Sequence, residues 1–367
     1  MKFTANTKDV ANALKKATAC LSGKAIVPVL NNALFEASDD GFVMVTCTDL
    51  CQRISVSFPA EVEAPAKTTI PAKKLLSILN NLTADEVTFD TKENNHTAIV
   101  CGTTQIDICG LDTADYPEKT GAETEIAFSI DAKELAELFK CGGYAVNTQD
   151  DGRKVLTGVL IEVDSNGIIS VVSTDGKRLA VAENNCAVET EETKKYIVPA
   201  AVVALLQKLK GDEIELELCQ KYLTARTDDM ELQGKLIEGN FPNWRQVFLS
   251  GLPNAAVISS AVLLNKIAII SQMLPAEAPL ASFVFGVNKV EFKTNNDDGS
   301  ILDSMEIEFQ PPKNEPITLM FNPAFIAAAV ANCGGEKFVF NFKDGASPCT
   351  LEFENNVKAV IMPIRKK

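Results

Sequence analysis

Histidine, tryptophan and arginine are scarce in this chain, and that scarcity limits the chemistry it can perform. The 367 residues include one histidine (His96), one tryptophan and six arginines. A Ser-His-Asp or Cys-His arrangement needs a histidine beside the nucleophile, so catalysis of these kinds is hard to build. The same shortage argues against an assembled zinc site, although ten cysteines are present. We therefore expect no catalytic residues, no metal and no cofactor.

The chain also lacks the features of a membrane or secreted protein. No apolar run reaches the length that spans a bilayer, and the first residues, MKFTANTKDV, do not have the basic-then-apolar pattern of a signal peptide. The closest cysteines, Cys47 and Cys51, are not spaced as a CxxC motif. Scattered cysteines of this kind are typical of small buried side chains in a reducing compartment, so we expect a cytoplasmic protein.

Positive charge is in deficit. Lys and Arg total 35 against 49 Asp and Glu, a formal net charge of −14, which argues against a surface coated with phosphate-binding groups. The apolar content of 46% and a mean hydropathy of +0.05 indicate a globular chain. Its length suffices for two or three domains, each with its own core.

Three sequence signals recur in the same order three times along the chain. The first is a β-hairpin pattern that ends in a Thr-Asp or Thr-Asn step, at residues 48–50, 174–176 and 294–296. The second is a strand running into a helix whose first turn contains proline, at Pro71, Pro199 and Pro323. The third is a strand followed by an apolar or aromatic residue and proline, at Pro117, Pro242 and Pro363.

The spacing of these prolines indicates a tandem repeat. Those of the second signal lie 128 and 124 residues apart, and those of the third 125 and 121. Each repeat also opens with an amphipathic helix, with Val10 and Leu14 on the apolar face of the first. We predict an α+β fold of three domains, 1–120, 121–250 and 251–367, each with two helices on antiparallel sheets. The alternative is three unrelated α+β segments.

The ordered motifs resemble those of the bacterial DNA polymerase III beta subunit, the sliding clamp family, over the whole chain. The resemblance rests on KAIVPVLNNALFEA, IPAKKLL, DYP, STDGKRLAV, VPAAVVALL, GNFPNWRQV and VIMPIR. It implies a head-to-tail dimer of three-domain subunits, a ring with helices inside and sheets outside. It also implies a non-catalytic protein that encircles duplex DNA and confers processivity in replication, bound by polymerases, the clamp loader and repair proteins.

The resemblance gives a physical answer to the acidic net charge. A ring holds DNA by topology and needs only loose contact with phosphates, which a few inward-facing lysines supply. The implied DNA-contacting residues are Lys24, Gln149, Arg153 and Lys154, helped by Lys8, Lys15, Lys73, Lys74, Lys133 and Lys140. The chain departs from the family pattern at 149–156, with one extra residue and no paired tyrosines. The alternative for the helix lysines is an ordinary solvated face.

The resemblance further implies a cleft for short apolar peptides. Its residues would be Leu156, Thr174, Gly176, Lys177, Arg178, Leu179, Pro242, Val247, Asn322, Val360, Met362, Pro363, Ile364 and Arg365. Three of the six arginines, Arg178, Arg245 and Arg365, lie in these stretches, and arginine is common where a planar donor frames an interface. Lys177 and Gln246 stand where relatives often have histidine and arginine, so the peptide preference is expected to differ in detail. The alternative is that these stretches are strand-end turns with structural prolines.

By position, Ile106, Ile108, Ile269 and Ile270 would join the subunits, unless they only pack in the core.

Three other functions compete with the clamp. An enzyme could use Asp175 and Lys177 as acid and base, but no third partner or phosphate-binding glycine loop accompanies them. A two-domain trimeric clamp conflicts with the third repeat. The last alternative is a repeat scaffold that does not bind DNA.

Overall fold

The computed structural model describes residues 1–23, 25–92, 94–121, 123–149, 151–186, 188, 190–275, 277 and 279–365. Within these ranges each repeat has the same element order: strand, helix, a group of strands, a second helix and three final strands. The first repeat has one additional short strand. The α+β expectation of three tandem copies is confirmed.

The first repeat contains two helices. Its elements are β1 (Lys2–Asn6), α1 (Thr7–Ala17), β2 (Asn32–Ala37), β3 (Phe42–Thr48), β4 (Gln52–Pro59), β5 (Glu61–Ala64), β6 (Ala66–Pro71), α2 (Ala72–Leu79), β7 (Glu86–Thr91), β8 (His96–Cys101) and β9 (Thr104–Cys109).

The second repeat follows the same order without the additional strand. Its elements are β10 (Ile126–Asp131), α3 (Ala132–Gly143), β11 (Gly158–Val163), β12 (Ile168–Thr174), β13 (Arg178–Asn185), β14 (Lys194–Pro199), α4 (Ala200–Leu206), β15 (Glu213–Leu218), β16 (Tyr222–Arg226) and β17 (Met230–Lys235).

The third repeat is the most apolar in its helices. Its elements are β18 (Asn254–Ser259), α5 (Ser260–Ser271), β19 (Ala281–Gly286), β20 (Lys289–Asn296), β21 (Gly299–Glu306), β22 (Ile317–Phe321), α6 (Pro323–Cys333), β23 (Lys337–Phe342), β24 (Cys349–Glu352) and β25 (Val357–Ile361).

Local sequence explains where helix α1 begins and which face it buries. The side chain of Asn6 accepts a hydrogen bond from the backbone N–H of Lys8 at 3.0 Å, which caps the first turn. Asp9 in the first turn and Lys15 in the last complement the helix dipole. Val10 and Leu14 are buried, as the helical spacing of apolar residues predicts.

The recurring prolines stand one position earlier than predicted in two repeats. Pro71 and Pro199 are the last residues of β6 and β14, and the helices begin at the next residue. Pro323 is the first residue of α6, as predicted. Both positions suit proline, because the backbone N–H groups at a helix start have no partner within the helix.

The chain divides into two compact units that do not coincide with the repeats. The first comprises Met1–Ala132 and Ala204–Leu236, and the second comprises Lys133–Val203 and Ile237–Lys367. The first unit holds a five-stranded sheet, β5-β1-β7-β8-β9, and an eight-stranded sheet, β10-β15-β16-β17-β4-β3-β2-β6. The eight-stranded sheet joins two repeats, because β17 of the second pairs antiparallel with β4 of the first.

The second unit repeats this arrangement one repeat further along. Its eight-stranded sheet is β14-β11-β12-β13-β25-β24-β23-β18, in which β13 pairs antiparallel with β25, and its other sheet is β21-β20-β19-β22.

The core of the third repeat is rich in phenylalanine: the rings of Phe285 and Phe342 lie 4.6 Å apart, and those of Phe283 and Phe321 5.4 Å apart. Such edge and tilted contacts add to the free energy gained by burial.

None of the helices in the described ranges is long and apolar enough to cross a membrane.

Candidate functional site

A largely apolar groove of about 670 Å³ lies in the second unit, where β13 meets β25. It brings together many of the residues predicted for the peptide cleft, from four separate stretches of sequence. These are Leu156, Thr174, Gly176, Lys177, Arg178, Leu179, Pro242, Val247, Val360 and Met362. The lining is completed by Gly152, Arg153, Lys154, Val155, Asn243 and Trp244.

The Thr-Asp-Gly step forms a turn closed by its own side chains. The hydroxyl of Thr174 donates to the carbonyl of Arg178 at 2.6 Å and accepts from the N–H of Gly176 at 3.0 Å. One carboxylate oxygen of Asp175 accepts from the N–H groups of Lys177 at 2.8 Å and Arg178 at 3.0 Å. These bonds hold the start of β13 rigidly at the groove wall.

Arg178 is fixed at the groove from three directions. Its Nε donates to Asp175 at 3.1 Å. Its guanidinium carbon lies 4.9 Å from the ring centre of Phe325 and 5.8 Å from that of Tyr144. A guanidinium that stacks on aromatic rings holds a fixed orientation, and some of its N–H groups can still donate to a ligand. Both properties suit a residue that frames a binding site.

Trp244 was not predicted as a groove residue. Its ring packs under the guanidinium of Arg245, 4.1 Å from the ring centre, and Arg245 also forms an ion pair with the buried carboxylate of Glu162. Lys195 approaches the other oxygen of Glu162 at 3.3 Å. The signal that could have found Trp244 is its position as the single tryptophan of the chain, within FPNWR.

Four residues predicted for the cleft are absent from the groove lining. Asn322 caps helix α6, with its side chain accepting from the N–H of Ala324 at 3.0 Å. Pro363 is buried, and Ile364 and Arg365 are exposed beyond β25. They lie along the chain next to Met362, which does line the groove.

The lysines predicted to contact DNA are distributed over three helices. Lys8 and Lys15 are exposed on α1, Lys73 and Lys74 on α2, and Lys133 and Lys140 on α3. The Nζ of Lys73 donates to the carbonyl of Gly23 at 2.8 Å, and Lys140 pairs with Glu137 at 3.3 Å. Gln149 is exposed in a loop. Lys24 lies outside the described residues.

Arg153 and Lys154, which were predicted to contact DNA, are exposed, and both also line the groove. Arg153 forms an ion pair with Asp151 at 2.5 Å, and a Cβ atom at Gly176 would lie 2.8 Å from its Nη1. The hydrogen bond from Arg153 lowers the pKa of Asp151 below its usual value. Arg153 therefore covers one end of the groove beside Gly176.

Two of the four predicted subunit-contact isoleucines do not fit that role. Ile108 and Ile270 are 3% and 0% exposed and belong to the cores of their own repeats. Ile106 is partly exposed on β9, and Ile269 is exposed on α5. Side chains buried within their own chain cannot supply a contact surface, so an apolar contact there would use Ile106 and Ile269.

The arrangement of Asp175 and Lys177 does not favour an enzyme. The carboxylate of Asp175 accepts from two backbone N–H groups and from Arg178, so its lone pairs are engaged in holding the turn. No group of three or more candidate metal-ligating side chains was found among the described residues. The site is a largely apolar groove, built from a turn, two strand ends and a short segment around Trp244, with the concave shape typical of ligand sites.

Comparison with known proteins finds relatives of the same fold along the whole chain. The models of the N-terminal and central domains of the DNA polymerase III beta subunit match residues 1–120 and 129–243. The beta sliding clamp of Chlamydia muridarum is 24% identical over all of this chain and 99% of its own length. The DNA polymerase III subunit beta of Pseudomonas aeruginosa has a TM-score of 0.94 at 22% identity, with both chains fully covered. A structure of that organism's clamp bound to griselimycin also has a TM-score of 0.94, at 23% identity and full coverage.

Three repeats joined through shared sheets form the fold of the sliding clamps. The chain belongs to the family of the bacterial DNA polymerase III beta subunit. This family consists of processivity factors of DNA replication and not of catalytic enzymes, which agrees with the expectation from the scarce histidine.

Proposed function

We propose that two copies of this chain close head to tail into a ring that encircles duplex DNA and tethers polymerases to it. The observation that carries the proposal is a pair of unpaired sheet edges. Within the chain, β17 pairs with β4 and β25 pairs with β13. The last strand of one repeat therefore joins the preceding repeat, at the third of the strands that lie between its two helices. The corresponding strands left over are β9 and β21, each at the edge of its sheet.

Pairing β9 of one copy with β21 of another would continue the same rule. Two such contacts between two copies would pair both of these strands in each copy, which gives a closed ring and no filament. The edge strand β21 carries Leu302, whose side chain is 70% exposed. A long unpaired edge with an exposed apolar residue invites pairing with another strand. The exposed side chain of Ile269, on α5 of the same repeat, adds apolar surface.

The proposed DNA contacts are loose and independent of sequence. We assign them to exposed Lys8, Lys15, Lys73, Lys74, Lys133 and Lys140 together with Gln149, and keep Lys24 as an expectation from the family resemblance. A net charge of −14 opposes tight binding to phosphates, and a ring that slides needs little of it. Arg153 and Lys154 stay among the proposed DNA contacts, since both are exposed, and they also line the groove.

The groove is the proposed docking site for short apolar peptides of polymerases, the clamp loader and repair proteins. Its volume, apolar walls and few fixed donors suit an extended peptide.

The repeated order of elements supports domain boundaries near residues 120 and 250. A replication protein of this kind would act in the cytoplasm, beside the chromosome.

Native mass spectrometry tests the ring. We expect a dimer near twice 39.6 kDa. Leu302→Asp should shift the population to monomer, because a buried, unpaired charge would stand in the new strand pair. Val287→Asp is a matched control, since Val287 is also exposed but lies in the turn between β19 and β20. A stable trimer, or a Leu302→Asp dimer as tight as the wild type, would refute this assembly.

A further inference from the structure

The groove collects positive charge, although the chain as a whole has a net charge of −14. Four of its lining residues are basic, and we call them the basic cluster: Arg153, Lys154, Lys177 and Arg178. Among the described residues, none of those that line the groove is acidic. The basic cluster therefore stands beside walls that are otherwise uncharged.

Other cavities in the described part of the chain combine their basic residues with carboxylates. A neighbouring cavity of about 460 Å³, which shares Trp244 with the groove, contains Glu183 and Glu352 beside an arginine and a lysine. A cavity of about 730 Å³ in the first unit contains Asp9 and Asp229 beside four lysines. A lining with basic residues and no acidic ones is therefore not a general property of the cavities in this chain.

The contact between Arg153 and the turn before β13 brings the basic cluster together. Nη2 of Arg153 donates to the carbonyl of Asp175 at 3.4 Å, and a Cβ atom at Gly176 would lie 2.8 Å from its Nη1. Lys154 and Lys177 each follow one of these contacting residues in the chain, and both line the groove. The two lysines therefore belong to the same end of the groove, beside Arg153.

Within the basic cluster, the arginines and the lysines differ in their partners. Arg153 forms an ion pair with Asp151 at 2.5 Å, and Arg178 forms one with Asp175 at 3.1 Å. Both lysines are exposed, and neither forms an ion pair with any residue that the structure describes. The lysines therefore carry the positive charge that remains. Next to an apolar wall this charge is less screened than in open water, so it attracts a carboxylate more strongly.

We propose that the groove selects peptides in which an aspartate or glutamate lies beside the apolar residues, and that Lys154 and Lys177 bind this carboxylate. The proposal rests on the peptide-binding function proposed above and names the class of peptide. Apolar side chains of the peptide cover the groove walls, and its carboxylate pairs with the two lysines. Complementary charges of this kind contribute specificity and a faster association rate.

The test begins with random peptides displayed on phage and selected on the full-length protein without DNA, since Lys154 is also a proposed DNA contact. Clones that lose binding to the double variant Val247→Gln/Met362→Gln are kept as groove peptides, because both residues line the groove. These changes are neutral and do not bias the choice by charge. The net charge of the protein attracts basic peptides, so an excess of acidic residues in groove peptides reports the local charge.

The groove peptides are then synthesised as C-terminal amides, so that their carboxylates belong to side chains. A second form of each has every aspartate and glutamate replaced by asparagine and glutamine. Fluorescence anisotropy gives Kd for both forms on the wild type and on Lys154→Gln/Lys177→Gln. The matched control is Lys221→Gln/Lys235→Gln, which removes the same charge at two exposed lysines of the first unit.

We expect acidic residues to be more frequent in groove peptides than in the unselected library. Their neutral forms should bind the wild type about fivefold more weakly at low salt, and high salt should reduce this difference. Lys154→Gln/Lys177→Gln should remove the difference, and the control should keep it.

Groove peptides without an excess of acidic residues would overturn the proposal. The same would follow if the neutral forms bound Lys154→Gln/Lys177→Gln and the wild type with the same relative loss. A selection that yields no peptide sensitive to Val247→Gln/Met362→Gln would refute the groove function itself, and the proposal with it.

Discussion

Two turns with the same hydrogen bonds carry different residues at their left-handed position. In the second repeat this position is Gly176, with φ of 87°, and in the first it is Leu50, with φ of 73°. Thr48 and Asp49 close the first turn as Thr174 and Asp175 close the second. The backbone therefore does not require glycine there. Glycine at position 176 leaves room for the guanidinium of Arg153, because a Cβ atom there would lie 2.8 Å from its Nη1.

Gly176→Leu should separate folding from binding. The left-handed conformation costs a leucine about 1–2 kcal/mol, and Leu50 shows that this turn tolerates the cost. The new side chain would displace Arg153 and narrow the groove, so we expect at least a tenfold loss of affinity for groove peptides with a small fall in melting temperature.

Leu50→Gly is the matched control, and it should leave peptide affinity unchanged. Anisotropy and thermal unfolding measure the two effects. Unaltered peptide affinity in Gly176→Leu would show that this end of the groove is not used.

At the scale of elements, a cluster of charges ties together three neighbouring strands of the first unit. Arg226 on β16 donates to Glu217 on β15 and to Glu231 on β17, the latter at 3.0 Å. The hydrogen bond from Arg226 lowers the pKa of Glu217 below its usual value. Burial raises the pKa of Glu231. The hydrogen bonds from Lys119 and Arg226 lower it by more than burial raises it, so the pKa of Glu231 also lies below its usual value.

The lowered pKa values give the sign of an acid effect. A carboxyl whose pKa is lower in the folded protein stabilises it above the unfolded-state value of about 4.5, and the contribution disappears as pH falls through the folded value. Glu217→Gln should lower the free energy of unfolding by about 1 kcal/mol at pH 7 and reduce its loss between pH 5 and 3.

Urea unfolding at pH 7, 5, 4 and 3 measures this difference in the first unit. Glu213→Gln, an exposed position on the same strand, is the control and should behave as the wild type. Equal pH dependence in Glu217→Gln and the wild type would contradict the assignment.

At the scale of the whole molecule, charge and topology predict different DNA behaviour. A chain with a net charge of −14 should bind linear duplex weakly, with an affinity that falls steeply with salt. A closed ring should nevertheless stay on circular DNA at high salt, because leaving it requires the subunit contacts to open. These two expectations can be tested on one preparation.

The protein is diluted with nicked circular plasmid and then concentrated, so that dimers reform around the DNA. Gel filtration at high salt should show co-elution, and cutting the plasmid with a restriction enzyme should release the protein. Replacing Lys8, Lys15, Lys133 and Lys140 with glutamine should weaken low-salt binding to linear duplex without abolishing retention on the circle. Equal retention on circular and linear DNA would refute encirclement.

Much of the fold could be predicted from the sequence because its signals are local and recur. Apolar spacing in α1, the Thr-Asp steps and the recurring prolines each depend on a few neighbouring residues. The groove residues from Leu156 to Met362 came from resemblance, since four distant stretches have no local signal of proximity. The burial of Ile108 and Ile270 could not be predicted, because an apolar residue on a strand or helix suits a core and an interface equally well.

Sequence alone determined that this protein is three copies of one α+β unit, without the histidines that common catalytic sites need. The tertiary structure decided which strands pair across repeats, and therefore which two edge strands, β9 and β21, lack the partner from another repeat that their counterparts have. It also placed Trp244 between two cavities and Arg153 over Gly176. The reason is physical: helices and turns form between near neighbours in the chain, whereas the strand pairs that join repeats, β17 with β4 and β25 with β13, link residues separated by more than a hundred positions.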